Sequence, residues 1–264
     1  MALNDQFILS MKVFLLSLLH TNKNFSNDIL LLSDGNLSES NVNACKKIYK
    51  NIKVINAKKD DYVLCKKTKQ TWGYNLYYRF DVFDMGNLGY DRIIIFDSDM
   101  VFLKSIDDLY SHDYDFAACE KYLNIPEIYP DNPLEQAKKR FNCGLMSISN
   151  RLLNNNVKKD LIEIASKQSW TSDQPVFNLY FADTVFYLSQ KFNVVSSIAT
   201  QKNLHDAVIL QYHGFKKPWD SDNPQECFGD DVKNEIKKNC LLLNTTVAKL
   251  KSLFDDYAAI AKTY

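Results

Sequence analysis

The sequence predicts a single α/β domain: a Rossmann-like, mostly parallel sheet flanked by helices and followed by a C-terminal helical segment. Three observations carry this. Short β-branched or aromatic runs alternate with stretches of helical periodicity, the rhythm of β-α-β units. The 264 residues hold only 7 Gly and 6 Pro, and neither a linker-like tract nor a repeat of solenoid period divides them. The run Ile93 to Phe96 passes straight into Asp97-Ser98-Asp99, so a strand ends in paired carboxylates, and ligands of open α/β sheets collect at such ends.

Taken in order, Phe7 to His20 is helical. Its apolar stretch from Phe7 to Leu19 is interrupted by Lys12, has no small-residue cleavage site after it, and is too short to span a bilayer. It therefore reads as a buried amphipathic helix, with no transmembrane segment expected. Asp28 to Ser33 is a strand ending at the turn Ser33-Asp34-Gly35, and Ser38 to Tyr49 is a helix N-capped by Ser38. Ile52 to Asn56 is a second short strand. Asn75 to Gly86 is a helix with Tyr78, Phe80, Val82 and Phe83 as apolar positions. Ile93 to Phe96 is too short for a helix and is expected to be a buried, parallel strand at the middle of the sheet. Asp115 to Cys119 and Gly144 to Ser149 are two more strands. The long segment between them, Lys121 to Arg140, contains Pro126, Pro130 and Pro133 and is of the kind that serves as a lid or substrate-binding element. Arg151 to Lys167 and Asp173 to Phe181 are helices, Val208 to Tyr212 is a strand, and Thr246 to Lys262 is a terminal helix. The apolar stripe of that helix, from Val247 through Leu250 and Phe254 to Ala261, reads as core packing, with a homodimer or membrane contact as its alternative. Residues 1–222 form the expected core, and 223–264 an extension packed on it.

Composition removes some function classes. With 32 basic and 32 acidic residues the formal charge is zero, and the basic footprint of a nucleic-acid-binding protein is missing. The cysteines at 45, 65, 119, 143, 227 and 240 show no C-x-x-C spacing and read as free thiols of a reducing compartment, hence a cytoplasmic location.

Asp97 and Asp99 offer hard oxygen ligands suited to Mg²⁺ or Mn²⁺ carried with substrate phosphates. The triplets Asp113/Asp115 and Asp220/Asp222 have the same spacing but no apolar strand behind them. Phe141-Asn142-Cys143-Gly144 leads into a strand with a glycine that permits close backbone approach and an amide that both donates and accepts. In Trp170-Thr171-Ser172-Asp173-Gln174-Pro175, Ser172 or Thr171 suits a helix cap, while Asp173 and Gln174 present a carboxylate and a carboxamide at the helix start. In the segment Gln211-Tyr212-His213-Gly214-Phe215-Lys216-Lys217-Pro218-Trp219, Gln211 or His213 is a candidate third metal ligand, and a glycine-bearing loop with two lysines suits a diphosphate.

With these motifs in this order the chain resembles the family 8 retaining glycosyltransferases, which include glycogenin and bacterial lipopolysaccharide glucosyl- and galactosyltransferases. The resemblance runs from about Asn4 to Trp219. It rests on Arg79, Phe96-Asp97-Ser98-Asp99, Phe141-Asn142-Cys143-Gly144, Asp173-Gln174, Tyr187-Leu188 with Phe192-Asn193, and Gly214 with Lys217-Pro218-Trp219. It implies a GT-A fold, a UDP-sugar donor and Mn²⁺ or Mg²⁺ bridging the diphosphate. On this resemblance Asp97 and Asp99 are metal ligands. Asp97 also lies near the ribose, with Ser98 among the donor-binding residues, and Arg79, Asn142 and Gly144 lie near the donor sugar. Asp173 and Gln174 lie close to the anomeric carbon, Gly214 and Lys217 at the phosphates, and Asn4 and Asp5 at the base.

Two departures stand out. The family's late motif resembles His-x-x-Gly-x-x-Lys-Pro-Trp, and aligning it on Gly214 places Gln211 where the metal-binding histidine is expected, so either Gln211 or His213 supplies the third ligand. Only Met1-Ala2-Leu3 precedes Asn4-Asp5 where a full first strand is usual. The activity implied is metal-dependent, retaining transfer of glucose or galactose from a UDP-sugar to a hydroxyl of a glycan, glycolipid or protein. Two rivals are a haloacid-dehalogenase-type phosphatase, which shares the strand-end Asp-x-Asp, and a degenerate UDP-sugar-binding protein, which Gln211 motivates.

Overall fold

The computed structural model describes residues 2–3, 5–65, 75–121, 140–199, 201–214, 216–224, 226–230, 233–234 and 243–264. Its strands are β1 (Ala2–Leu3), β2 (Ile29–Ser33), β3 (Ile52–Asn56), β4 (Arg92–Phe96), β5 (Met100–Phe102), β6 (Phe116–Glu120), β7 (Phe141–Ser149), β8 (Phe186–Leu188), β9 (Val194–Val195) and β10 (Ile209–Gln211). The α-helices are α1 (Ile8–Thr21), α2 (Glu39–Ile48), α3 (Asn155–Lys167), α4 (Gln174–Phe181), α5 (Gln201–Asp206) and α6 (Leu243–Ala261). Three sheets run in the orders β1-β2-β3, β4-β7-β6-β8 and β5-β10-β9. The first is wholly parallel, and the other two are mixed.

The strand ahead of Asp97 corrects one expectation. β4 runs antiparallel to β7, with Phe96 opposite Leu145, and β7 is its pairing partner among the described strands. The apolar run reflects burial on both faces: Ile93 and Ile95 join the core around Phe80 and Met146, while Ile94 and Phe96 join the core around Phe14 and Phe102. A strand covered on both sides reads as continuous hydrophobicity whatever its direction.

Residues 75–88 also depart from the expected α-helix and form a 3-10 helix, Asn75–Leu88. The sequence has the matching period of three, in which side chains at i and i+3 eclipse. Tyr77, Phe80 and Phe83 form one fully buried row that ends at Gly86, where a Cβ would run into the Leu153 carbonyl. Tyr78, Asp81 and Asp84 form a second row, and Arg79, Val82 and Met85 a third. One short element thus holds an aromatic core face, a pair of acids and the site arginine on separate sides.

Helix α1 is buried on nearly every side. Phe14 packs edge-on against Phe96 and Phe102, at 5.6 and 4.8 Å between ring centroids, and the Phe102 N–H donates to Ser17 Oγ at 3.1 Å. β5 follows Asp99 at once and pairs antiparallel with β10, which sets Gln211 opposite Met100. α2 is capped as expected, Ser38 Oγ accepting from Asn41 N. The stripe of α6 is spent inside the chain: Val247, Leu250, Phe254, Ala258 and Ala261 share a core with Val13, Leu210 and Tyr212. β1 spans two residues, and a cavity of about 720 Å³ lies between β2 and β4, lined by Phe14, Leu18, Leu30, Ile93, Phe96 and Arg79.

Candidate active site

The Asp97–Asp99 bend is clamped by backbone on both sides. Asp97 N donates to Gly144 O at 2.8 Å, tying the end of β4 to β7, and Tyr212 N donates to Asp99 O at 2.8 Å, tying the start of β5 to β10. Gln211 is consequently held across the bend. Its Nε2 donates to Asp97 Oδ2 at 2.8 Å and lies 3.4 Å from Asp99 Oδ1. Its Oε1 is buried with no hydrogen-bond partner among the described residues. On the other side of Asp99, Lys217 Nζ donates to Oδ2 at 2.6 Å and to the Tyr212 carbonyl at 2.6 Å. Gly214, with φ +102°, makes the left-handed turn that brings Lys217 back, a conformation other residues rarely adopt. Trp219, at the end of this loop, packs against Phe254 of α6 at 5.5 Å and against Phe7 at 6.4 Å.

Arg79 reaches the same bend from the 3-10 helix. Its Nε and Nη2 hold Asp173 in a fork at 2.6 and 2.7 Å, while Nη1 donates to Asp97 Oδ1 at 3.1 Å and to the Cys143 carbonyl at 2.8 Å. Burial works against its charge, but the Asp173 and Asp97 carboxylates more than offset this and hold the guanidinium protonated. Asp173 occupies the N-cap of α4 without capping it, because both of its oxygens go to Arg79, and Ser172 Oγ accepts from Gln174 N instead, at 3.3 Å. The Gln174 carboxamide oxygen accepts from Cys143 N at 3.1 Å. Asn142 turns its oxygen inward to Gly144 N and Asn193 Nδ2, at 2.7 and 2.9 Å. Asp97 carries the electrostatic cost of this crowding. Burial, and then the neighbouring Asp99 and Asp173, push its pKa up to about 6 against the pull of Arg79 and Lys217.

So arranged, the site gathers three carboxylates, two cations and three carboxamides, Gln174, Gln211 and Asn142, around one strand end, a set suited to a polar, phosphate-bearing ligand. The model for "Glycosyl transferase family 8" matches residues 1–223. The chain belongs to glycosyl transferase family 8. Its fold is that of GT-A glycosyltransferases. The galactosyltransferase LgtC, solved with donor and acceptor sugar analogues, superposes with a TM-score of 0.68 at 17% identity, over 89% of this chain and 92% of that one. An active-site mutant of LgtC gives 0.67 over the same shares. The glycosyltransferase GlyE of Streptococcus pneumoniae TIGR4 gives 0.60 at 18% identity, over 96% of this chain and 62% of GlyE. No relative is found among curated protein sequences.

As a family 8 chain it brings Arg79, Asp97, Asp99, Asn142, Gly144, Asp173, Gln174, Gln211 and Lys217 into one connected network. Ser98 lies half-buried in the bend. The His213 backbone N donates to Ser196 Oγ at 3.0 Å and to the Gln211 carbonyl at 3.1 Å. Asp5 accepts from Ser38 N and Oγ at the start of α2, at 2.9 and 3.2 Å, while Asn4 and the segment 122–139 lie outside the described residues. Asp113 and Asp115 both clasp Arg151 at the surface, and Asp220 accepts from Lys217 N at 2.8 Å, so the other two triplets have structural uses.

The donor set fits a divalent cation. One atom, Gln211 Nε2, already sits between the two carboxylates, and an orphaned amide oxygen stands on the same side chain. A second acidic group, Asp61, Asp81 and Asp84, has oxygens near enough to one another to share a metal. There the place is filled by Lys158 Nζ, at 2.5, 2.6 and 2.7 Å from the three. Sequence reasoning missed this buried lysine; the signal was the i, i+3 pair Asp81/Asp84 beside Arg79. It also missed Asn178, whose amide bridges Phe141 N and O at 2.8 and 2.9 Å and docks α4 on β7. The five described cysteines are buried thiols, and none of the described helices is long and apolar enough to cross a membrane.

Proposed function

We propose that this chain is a retaining hexosyltransferase that moves glucose or galactose from a UDP-sugar to a hydroxyl of a glycan, glycolipid or protein, with Mn²⁺ or Mg²⁺ as cofactor. The observation that carries the reading is the junction of Arg79 with Asp173 on one side and the Asp97/Asp99 bend on the other, which joins a sugar-side group to a phosphate-side group through one side chain. Residues 1–222 are the proposed catalytic core and 223–264 the extension that braces it, in a cytoplasmic protein.

Asp97, Asp99 and the Gln211 carboxamide would hold the cation, which, when bound, offsets charge on the departing diphosphate. Lys217 and the Gly214 turn take the phosphates, the ammonium moving from Asp99 to the diphosphate as its charge develops. Asn142, Gly144 and Arg79 border the donor sugar, and Asn4, Asp5 and Ser98 are assigned to the nucleoside. Gln174 is proposed to face the anomeric carbon, with its oxygen fixed by Cys143 N and its amide nitrogen turned to the ligand. Asp173, buried behind Arg79, supplies a fixed negative charge that favours positive charge developing at that carbon. The bond from the anomeric carbon to the diphosphate oxygen breaks ahead of attack, the acceptor hydroxyl enters on the face the diphosphate leaves, and its proton passes to the departing phosphate oxygen.

The test is UDP release from UDP-glucose and UDP-galactose by purified protein with Mn²⁺ and a panel of glycan acceptors. Acceptor-dependent release supports the reading. Calorimetric UDP binding without release would instead make it a degenerate binding protein, and phosphate release from a phosphomonoester with no UDP affinity would make it a phosphatase.

A further inference from the structure

Gln211 is only half satisfied: its nitrogen serves both aspartates while its oxygen, buried in a residue 5% exposed, has no partner among the described residues. A carboxamide is nearly symmetric in shape, its oxygen and nitrogen ends differing in hydrogen-bonding sense and hardly in size. The cradle respects that symmetry. Gly144 faces both ends, for a Cβ there would run into Oε1 and stand 2.7 Å from Nε2. The backbone behind it is fixed by the pairing of Gln211 with Met100 and by the Tyr212 N–H on the Asp99 carbonyl. Rotation about the last side-chain bond is therefore the free coordinate of the group, and it exchanges the two ends in place.

Which end faces the aspartates depends on what lies between them. With no cation, a donor must face Asp97 Oδ2 and Asp99 Oδ1, and Nε2 does so. With a divalent cation, an acceptor must, since an N–H directed at a metal is repelled while a carbonyl oxygen coordinates it. We propose, resting on the metal-dependent reading above, that Gln211 is a two-position ligand: its amide turns over on cation loading and completes an all-oxygen cage with Asp97 and Asp99. Carboxylate and carbonyl oxygens suit Mg²⁺ and Mn²⁺, whereas an imidazole at the same position adds affinity for Ni²⁺, Cu²⁺ and Zn²⁺. The cage accordingly accepts Mg²⁺ nearly as well as Mn²⁺ and gives Ni²⁺ little advantage. His213 is the rival ligand at this place, and a bound imidazole there would reveal itself by its nitrogen.

The experiment follows Mn²⁺ binding by electron paramagnetic resonance in the presence of UDP, with Mg²⁺ and Ni²⁺ as competitors. In the wild type, pulsed spectra should lack the nitrogen coupling of a bound imidazole, and Mg²⁺ should compete within about tenfold of Mn²⁺. Gln211→His should introduce that coupling and raise the Ni²⁺-over-Mg²⁺ preference at least about tenfold. Gln211→Met should weaken Mn²⁺ at least about tenfold with unchanged circular dichroism. Imidazole coupling in the wild type, which needs no variant to fold, would overturn the proposal, as would wild-type Mn²⁺ affinity in folded Gln211→Met. Asp99→Asn separates the two levels. If it abolishes Mn²⁺ binding while Gln211→Met does not, only the role of Gln211 falls; if neither variant weakens binding, the metal-dependent reading falls with it.

Discussion

Replacing Asp173 with Asn removes one charge from the most buried ion pair of the site. The two side chains are 1% and 9% exposed, and Arg79 grips both carboxylate oxygens. Asn preserves one acceptor oxygen, so one guanidinium N–H keeps its partner and the other meets an amide N–H. Arg79 stays charged, left with Asp97 at 3.1 Å and the Cys143 carbonyl at 2.8 Å. Removing one member of a buried pair costs about 3–5 kcal/mol, and the retained acceptor places this variant near the lower end, at about 3 kcal/mol. With an unfolding entropy of about 2.1 cal/mol/K per residue, a chain of 264 residues loses about 5 °C in Tm. The assay is calorimetric melting in chelator at neutral pH, run beside UDP affinity and UDP release. The expected result is a lowered Tm with UDP affinity largely kept and turnover lost. A Tm within about 1 °C of wild type would refute the buried-pair reasoning, and equal loss of UDP affinity and turnover would leave Asp173 a purely structural residue.

Four further outcomes are expected. Gly86→Ala drives a Cβ against the Leu153 carbonyl and should cost about 1–3 kcal/mol; a neutral melting shift would show that the 3-10 helix is free to move. Lys158→Met leaves Asp61, Asp81 and Asp84 facing one another, for a loss of about 3–5 kcal/mol at neutral pH. Despite its burial, the Asp84 carboxyl is held below the usual carboxylate range by Lys158 and Lys58, so the loss should shrink only as pH falls below that range, and a pH-independent loss would contradict the ion-pair account. Phe254→Ala removes the ring that supports Trp219 and Tyr212, costing about 3–5 kcal/mol and weakening UDP binding through the Lys217 loop; calorimetry would show the idea wrong if UDP affinity held. For Asp97, whose pKa rises from 3.8 to about 6, the folded state binds the proton more tightly than the unfolded chain, so ionisation costs stability as pH climbs through that window. Asp97→Asn should therefore raise the Tm of the metal-free protein at neutral pH, with the gain fading toward pH about 4, and a lowered Tm at neutral pH would reverse the sign.

Elements with one clear local signal were legible in the sequence. Ile52–Asn56 matches its expected bounds, and Ser38 caps α2 as its side chain and position required. What failed depended on partners distant along the chain. The direction of β4 is set by β7, some fifty positions later, and a run buried on both faces hides it. β5 was hidden because Met100-Val101-Phe102 is too short to carry a period, and it exists through β10, more than a hundred residues on. The 3-10 helix departs from the expected helical period because Tyr77, Phe80, Phe83 and Gly86 repeat every three residues. At the Asp97–Asp99 bend, the motifs name most of the residues that the fold brings together but not their contacts with one another. Asp173 was legible as a helix-start acid; that Arg79 consumes both of its oxygens follows only from the fold.

The charges of the site explain why its members are held as they are. Asp97, Asp99 and Asp173 face Arg79 and Lys217, a formal sum of minus one. Arg79 is committed chiefly to Asp173 and Lys217 to Asp99, so the deficit falls on Asp97, where it adds to the burial that already pushes that carboxyl up. Gln211 eases the deficit with a dipole where a charge is wanted. On the proposed reading, a divalent cation placed there would change the sum to plus one, satisfy Asp97 and loosen the hold of Asp99 on Lys217. The same loop, turned at Gly214 and braced by Trp219 on α6, would then present a free ammonium to an arriving diphosphate. On that reading cation and nucleotide would be coupled through Asp99, which touches both Gln211 and Lys217.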